Sequence, residues 1–270
     1  MTQMGASFFL PAVDLYDKLT PFYHLIYADW KSTIRQHGEA LDQIIRSAGV
    51  EMPCAVLDAA CGIGTQTLGL ASLGYQVTAS DFCAASVDRA KNEAIQRGLS
   101  IETAVADMRE LYAHHNRTFD VVIACDNAIP HLLSDAEILV ALKEFHRCTA
   151  PGGLCLISVR DYTNVELRGP AQLHPNGVHQ VEKSRYVLLQ VWNPLPPLHE
   201  TIFYIIEHRE GALPITHTSR AICYAVPIYR LMRLMDEAGF HEVRRVDGVF
   251  FQPVIIGRKK GERNETPDER

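Results

Sequence analysis

The stretch VLDAACGIGT, residues 56–65, leads through a short segment into VTASD, residues 77–81. An apolar, partly β-branched run ends in an acid, Asp58, turns through Gly62 and Gly64, and passes into a segment of helical character. The next apolar run stops on a second acid, Asp81. A parallel α/β sheet builds a nucleoside pocket in this way: the glycines let backbone approach the ligand, and the second acid is placed to accept both ribose hydroxyls. Asp81 fits the roughly 20-residue offset of such a unit. Two departures from a dinucleotide fingerprint follow. Thr67 stands where a third glycine belongs, and Asp58 precedes the turn, where a pyrophosphate would be repelled. Both favour a positively charged nucleoside over NAD, and S-adenosylmethionine, with its sulfonium and ammonium, is the expected cofactor.

Composition narrows the function classes. A chain of 270 residues, 47% hydrophobic and 21% charged, is expected to form one soluble domain with an insertion. The net charge of −6 and the lack of a basic patch other than RKKGER at 258–263 argue against nucleic acid as a partner. A small-molecule methyl acceptor fits better; monomer and homo-oligomer remain open. No apolar run approaches the roughly 18 residues of a membrane helix. The N-terminus lacks the basic and apolar regions of a secretory signal, so a cytoplasmic protein is expected. Seven cysteines without a C-x-x-C pair read as buried free thiols, with no metal site.

Outward from the opening motif, strands are expected at 54–59, 76–81, 101–106, 119–125 and 153–160, and helices at about 64–73, 84–97 and 135–148. Strand–helix alternation implies an α/β fold, a Rossmann-like, mostly parallel seven-stranded sheet with helices on both faces. Asp58, Asp81, Asp107 and Asp126 all fall at or just after strand ends, the edge where open α/β sheets bind ligands. PGG at 151–153 reads as a turn. Residues 162–180 read as loop, followed by three or four antiparallel strands to about 226. A helix from Ile228 to Ala238 and strands at 241–247 and 250–258 close the domain. The expected organisation is therefore an aromatic and helical segment at 1–50 covering the active site, a Rossmann-like domain at 51–161 and 227–260, and an antiparallel β insertion at 162–226 forming a substrate lid. A disordered tail is expected at 261–270.

These segments resemble a class I S-adenosylmethionine-dependent methyltransferase. VLDAACGIGTQTLGLA is similar to that family's cofactor loop, VTASDFCAASVDRAK to its ribose-binding strand and helix, and VADMREL to its adenine-binding segment. FDVVIACDNAIPHL resembles the fourth strand facing the substrate, and LMRLMDEAGFHEVRRV the closing helix and strand. YADWKSTIRQHGEALDQII, CGIGTQTLGLA, DNAIPHL and SVRDY are similar, more closely, to the glycine and glycine/sarcosine N-methyltransferases. The resemblance implies cofactor contacts from Tyr27, Trp30, Asp58, Ala60, Gly62 and Gly64, and further along from Asp81, Phe82, Asp107, Met108 and Asp126. It implies that Arg160 binds substrate, since Arg160, Asp161 and Tyr162 match the family's R-[ND]-Y motif. Tyr16 and one of Tyr204 or Tyr224 would join it, and Asn127 and His131 would be the catalytic pair.

Each assignment has a structural alternative. Asp107 is either the acceptor for the adenine amino group or a helix cap. Asn127 orients an acceptor amine as a neutral amide, or simply forms the turn with Pro130. His131 is either a base for the ammonium proton or a structural histidine. Arg160 grips a carboxylate through two parallel hydrogen bonds or pairs with a nearby acid such as Asp161. Tyr27 and Trp30 cover the cofactor or pack at a helix entry. The expected activity is methyl transfer to the amine of a small molecule, glycine or sarcosine foremost. Alternatives are N- or O-methylation of a natural product and a silent cofactor-binding module.

Overall fold

In the computed structural model, residues 12–165 and 168–261 are described; the tail expected beyond Gly261 lies outside them. The described residues begin with α1 (Ala12–Leu19), a 3-10 turn at Tyr23–Ile26 and α2 (Trp30–Ser47). Asp29 starts α2, its carboxylate accepting from Ser32 N at 3.2 Å, as a helix cap should. Then follow β1 (Ala55–Asp58), α3 (Thr65–Ser72), β2 (Gln76–Asp81), α4 (Ala84–Gln96) and β3 (Glu102–Val105). Next come α5 (Leu111–His115), β4 (Phe119–Ala124), α6 (Asp135–Cys148) and β5 (Thr149–Ser158). The insertion holds β6 (Gln172–Val181), β7 (Ser184–Leu195), β8 (Leu198–Arg209) and β9 (Ile215–Tyr224). The chain closes with α7 (Ile228–Glu237), β10 (His241–Val246) and β11 (Val254–Arg258).

The main sheet has seven strands in the order β3-β2-β1-β4-β5-β11-β10. β1 to β5 pair in parallel, and β11 joins β5 antiparallel. The order reverses between β1 and β4, which opens a crevice at the carboxyl ends of those strands. Alternation along the strands sends neighbouring side chains to two separate cores. Val56, Val121 and Ile123 pack with Leu41, Ile45 and Leu70 of α2 and α3. Leu57 and Val122 pack with Ile138, Phe145 and Leu231 of α6 and α7. Both faces are thus covered, as parallel strands require.

Two local differences from the sequence reading have physical causes. Residues 172–180, read as loop for their proline and glycine, fall in β6, an edge strand paired with β7 and interrupted by a register shift between Pro175 and Gly177. PGG at 151–153 lies within β5, where Gly152 takes φ 79° and the pairing with β4 shifts between Phe119 and Val121. Among the described residues no helix is long and apolar enough to cross a membrane. All seven cysteines are buried and free.

Candidate active site

The crevice at the switch point continues into two adjoining hollows that share Tyr16, Tyr23, Tyr27, Asp126 and His131. The inner one, about 50 Å³, is walled by Ala60 to Ile63, Thr65, Asp81, Phe82 and Met108. The outer one, about 340 Å³, runs under the four-stranded sheet, with Arg160, Trp192, His199, Thr201, Phe203 and Cys223 in its wall.

The inner hollow is built by the opening motif. Gly62 adopts φ +51° and Gly64 φ +92°, and a Cβ on Gly64 would come 3.1 Å from that of Ala90. Only glycine makes this close left-handed turn without strain. Asp81 is 7% exposed. Its carboxylate accepts from Gly62 N and from Cys83 N, both at 2.9 Å. A carboxylate has about four lone-pair sites, so two bonds leave capacity for a diol. Asp58 lies beneath the loop, accepting from Thr67 Oγ1 at 2.7 Å and Ala60 N at 3.4 Å. Burial pushes its carboxyl up to about 7, and burial also raises Asp81 and Asp126. Two buried acids and the half-buried Asp126, with little basic compensation, form a site that favours a cation.

The turn after β4 is the most strained backbone near the crevice. Asp126 (φ 58°) and Asn127 (φ 66°) are consecutive left-handed residues, a conformation Asp and Asn tolerate better than most. Bonds to β5 hold it: Asp126 N donates to Ser158 Oγ at 2.7 Å and Asn127 N to Ser158 O at 3.2 Å. The turn presents Asp126 to Tyr27, whose hydroxyl donates to Oδ2 at 2.6 Å. Asn127 Oδ1 accepts from Arg160 N at 3.0 Å, and its amide donates to Tyr162 Oη at 3.0 Å. The next turn places His131, whose Nε2 shares a 2.7 Å hydrogen bond with the Tyr16 hydroxyl. Burial lowers His131 to about 4, so its ring is neutral near pH 7. Burial likewise keeps the phenols of Tyr16, Tyr23 and Tyr27 protonated.

Arg160 makes no salt bridge with any acid among the described residues. Asp161, the expected competitor, is held by Arg245 at 2.8 Å. The Arg160 guanidinium instead lies 4.5 Å from the centre of the Trp192 ring, leaving its in-plane donors available.

Of the residues named from the sequence, the structure gathers Tyr16, Tyr27, Ala60, Gly62, Asp81, Phe82, Met108, Asp126, Asn127, His131 and Arg160 around the two hollows. Others stand back from them. Asp107 caps the turn before α5, accepting from Arg109 N at 2.8 Å and pairing with the Arg109 guanidinium. Trp30 donates to Thr65 Oγ1 at 2.8 Å, and its ring lies under Arg89 and Arg97. Tyr204 follows the lining residue Phe203 in β8, so strand alternation turns it to the opposite face of the sheet. Tyr224 likewise follows Cys223 and donates to Asp135 at 2.9 Å. Tyr23, Trp192, His199, Thr201 and Phe203 line the hollows without having been singled out. The alternation of Gln190 with Trp192, and of His199, Thr201 and Phe203, is the signal that marks one strand face.

A family profile described as "Methyltransferase domain" matches residues 56–153. The chain is 26% identical over 137 residues to a glycine/sarcosine N-methyltransferase of Halorhodospira halochloris, covering 51% of this chain and 50% of that protein. It is 31% identical over 108 residues to a ubiquinone biosynthesis O-methyltransferase of Caulobacter, covering 40% and 41%. The chain thus spans about half the length or less of these curated relatives. Among solved structures, the sugar N-methyltransferase KedS8 from Streptoalloteichus superimposes with a TM-score of 0.73 at 18% identity, over 96% of this chain and 99% of that one. Residues 56–153 thus match a methyltransferase domain, and the strand order and the solved structures give the chain the class I methyltransferase fold.

Proposed function

We propose that this protein transfers a methyl group from S-adenosylmethionine to the amine of a small molecule that also carries a carboxylate, as glycine and sarcosine do. The observation that carries this reading is the polarity of the cavity. Buried Asp81 lines its inner end, half-buried Asp126 stands where the two hollows meet, and Arg160, in no salt bridge among the described residues, lines the outer end. A cationic donor and an anionic acceptor are matched by that arrangement. The likeness to a glycine/sarcosine N-methyltransferase points the same way.

When bound, the donor supplies an electrophilic methyl on a positively charged sulfur. The protein's task is to hold an acceptor lone pair in line at about 3–3.5 Å and to exclude water. Asp81 takes the ribose hydroxyls, while Met108 and Phe82 pack on the adenosine. Tyr16, Tyr23 and Tyr27 close the inner hollow over the reacting atoms. Arg160 takes the carboxylate. The Tyr16–His131 pair offers a neutral hydrogen-bonding group to the acceptor amine. Asn127 acts through Arg160 and Tyr162, fixing the backbone from which Arg160 projects.

The outer hollow supports a second reading, in which the acceptor is a bulkier amine. Its volume of about 340 Å³ exceeds what glycine needs, and the structural likeness to a sugar N-methyltransferase is compatible with that. Labelled-methyl transfer to glycine, sarcosine and dimethylglycine, against uncharged amines of similar size, separates the readings. Turnover confined to uncharged amines rejects the carboxylate.

A further inference from the structure

We infer that His199 sets acceptor specificity in the outer hollow, and that Arg160, Trp192 and His199 together admit an amino acid bearing a ring in preference to glycine. The inference rests on the carboxylate-binding reading of Arg160 and narrows it.

Three observations lead to it. The first is room. About 340 Å³ lies open here, against about 50 Å³ in the adjoining inner hollow. The second is the wall. Trp192, Phe203 and Phe251 present aromatic surface to the hollow, and Arg160 lies over Trp192 on the same side as the cavity. Pockets of this kind, apolar with a few placed polar groups, bind flat bodies through their faces and orient them through the polar groups.

The third is His199 itself. It is 2% exposed, and its ring centre is 4.9 Å from that of Trp192 and 5.5 Å from that of Tyr162. Its Nδ1 is shielded from solvent and has no hydrogen-bond partner among the described residues. Packing alone does not account for an imidazole here, because a phenyl ring would fill the same space and leave no polar atom unsatisfied. Gln190 in the same wall is already spoken for, donating to Asn176 Oδ1 at 3.0 Å and accepting from Trp192 Nε1 at 2.9 Å. A neutral imidazole carries one donor and one acceptor nitrogen, and His199, which lines the hollow, has its Nδ1 unpaired among the described residues, a partner for a polar group on the body of the acceptor. Glycine has no polar group beyond its amine and its carboxylate.

The test measures methyl transfer to glycine, sarcosine, phenylalanine, tyrosine and histidine, with calorimetry of the same five compounds on protein loaded with S-adenosylhomocysteine. At least one ring-bearing amino acid should exceed glycine in kcat/KM by about tenfold or more. His199→Phe, which keeps a ring and removes both nitrogens, should raise KM for that compound about tenfold with kcat and donor Kd unchanged. His199→Asn should recover part of the loss, and an unchanged donor Kd certifies that either variant is folded. Preference for glycine, selectivity indifferent to both variants, or binding of none of the five compounds overturns the inference. Arg160→Ala distinguishes the levels. If it weakens every carboxylate while glycine stays preferred, only the ring specificity fails; if it changes nothing, the broader reading fails with it.

Discussion

The hydroxyl of Tyr16 and Nε2 of His131 lie 2.7 Å apart, joining the helix that precedes the domain to the turn after its fourth strand. The two rings meet edge to face, with Phe82 packed edge to face on Tyr16 from the cofactor side. The contact makes the N-terminal segment part of the site's wall. Its chemistry is that of two neutral groups: burial lowers His131 to about 4 and raises Tyr16.

Tyr16→Phe should lower kcat by about tenfold, the effect of one lost hydrogen bond beside the reacting amine, with little change in donor affinity. Since His131 is already neutral above pH 5, kcat/KM should rise with pH as the free acceptor loses its ammonium proton, without an inflection near 6.5. Rate profiles of wild type and His131→Asn over pH 5.5–9 check this. An inflection near 6.5 that vanishes in the variant would make His131 a titrating base.

Arg160→Ala should raise acceptor KM by about a hundredfold, in the range expected when a charged hydrogen-bonding group is removed. The donor Kd and the unfolding midpoint should stay near wild type, because Arg160 is exposed and pairs with no acid among the described residues. Steady-state kinetics with varied acceptor, alongside donor titration, read both quantities.

Donor binding should tighten as pH rises through 7. Burial raises the Asp58 carboxyl to about 7, well above the value of about 3.9 it would have in an unfolded chain. Its contribution to folding is therefore full below about pH 4 and is lost as pH climbs through 7. A cationic donor favours the ionised form, so its binding near pH 6.5 should release part of a proton. Calorimetry in two buffers of different ionisation heat detects that release. Asp58→Asn should abolish it and flatten the affinity profile.

Gly38 and Gly69 mark where α2 and α3 touch backbone to backbone. A Cβ on Gly38 would lie 2.6 Å from the carbonyl carbon of Gly69, and one on Gly69 would lie 2.5 Å from Ile34 O. Gly69→Ala should destabilise the fold by about 1–3 kcal/mol, the range for overpacking a close contact. Urea denaturation measures it; an unchanged midpoint would mean that the helices separate freely.

The Rossmann-like core was legible because its signals are local. Gly62, Gly64 and Asp81 declare themselves within one strand–turn–helix unit, and the stretches 77–79 and 121–125 are short apolar or β-branched runs. β6 was not legible, because pairing with β7 overrides the turn preference of Pro175 and Gly177. The contact between Gly38 and Gly69 was silent for the same reason, since both sit within helices and the constraint comes from the other chain segment. In the insertion the resemblance pointed to tyrosines, yet alternation sends Tyr204 and Tyr224 away from the hollow and turns Phe203 and Cys223 into it. His199 and Trp192 become neighbours only when β7 pairs with β8. Asp107 was read for its position at a strand end, where Arg109, two residues on, occupies its carboxylate.

The central claim is that the acid-lined inner hollow binds a cationic nucleoside methyl donor through Asp81. Calorimetric titration of S-adenosylmethionine into the wild type and Asp81→Ala tests it most directly. The account predicts saturable one-to-one binding by the wild type and an affinity at least about a hundredfold weaker in the folded variant. Equal affinity in the two proteins, or no binding by the wild type, would contradict it.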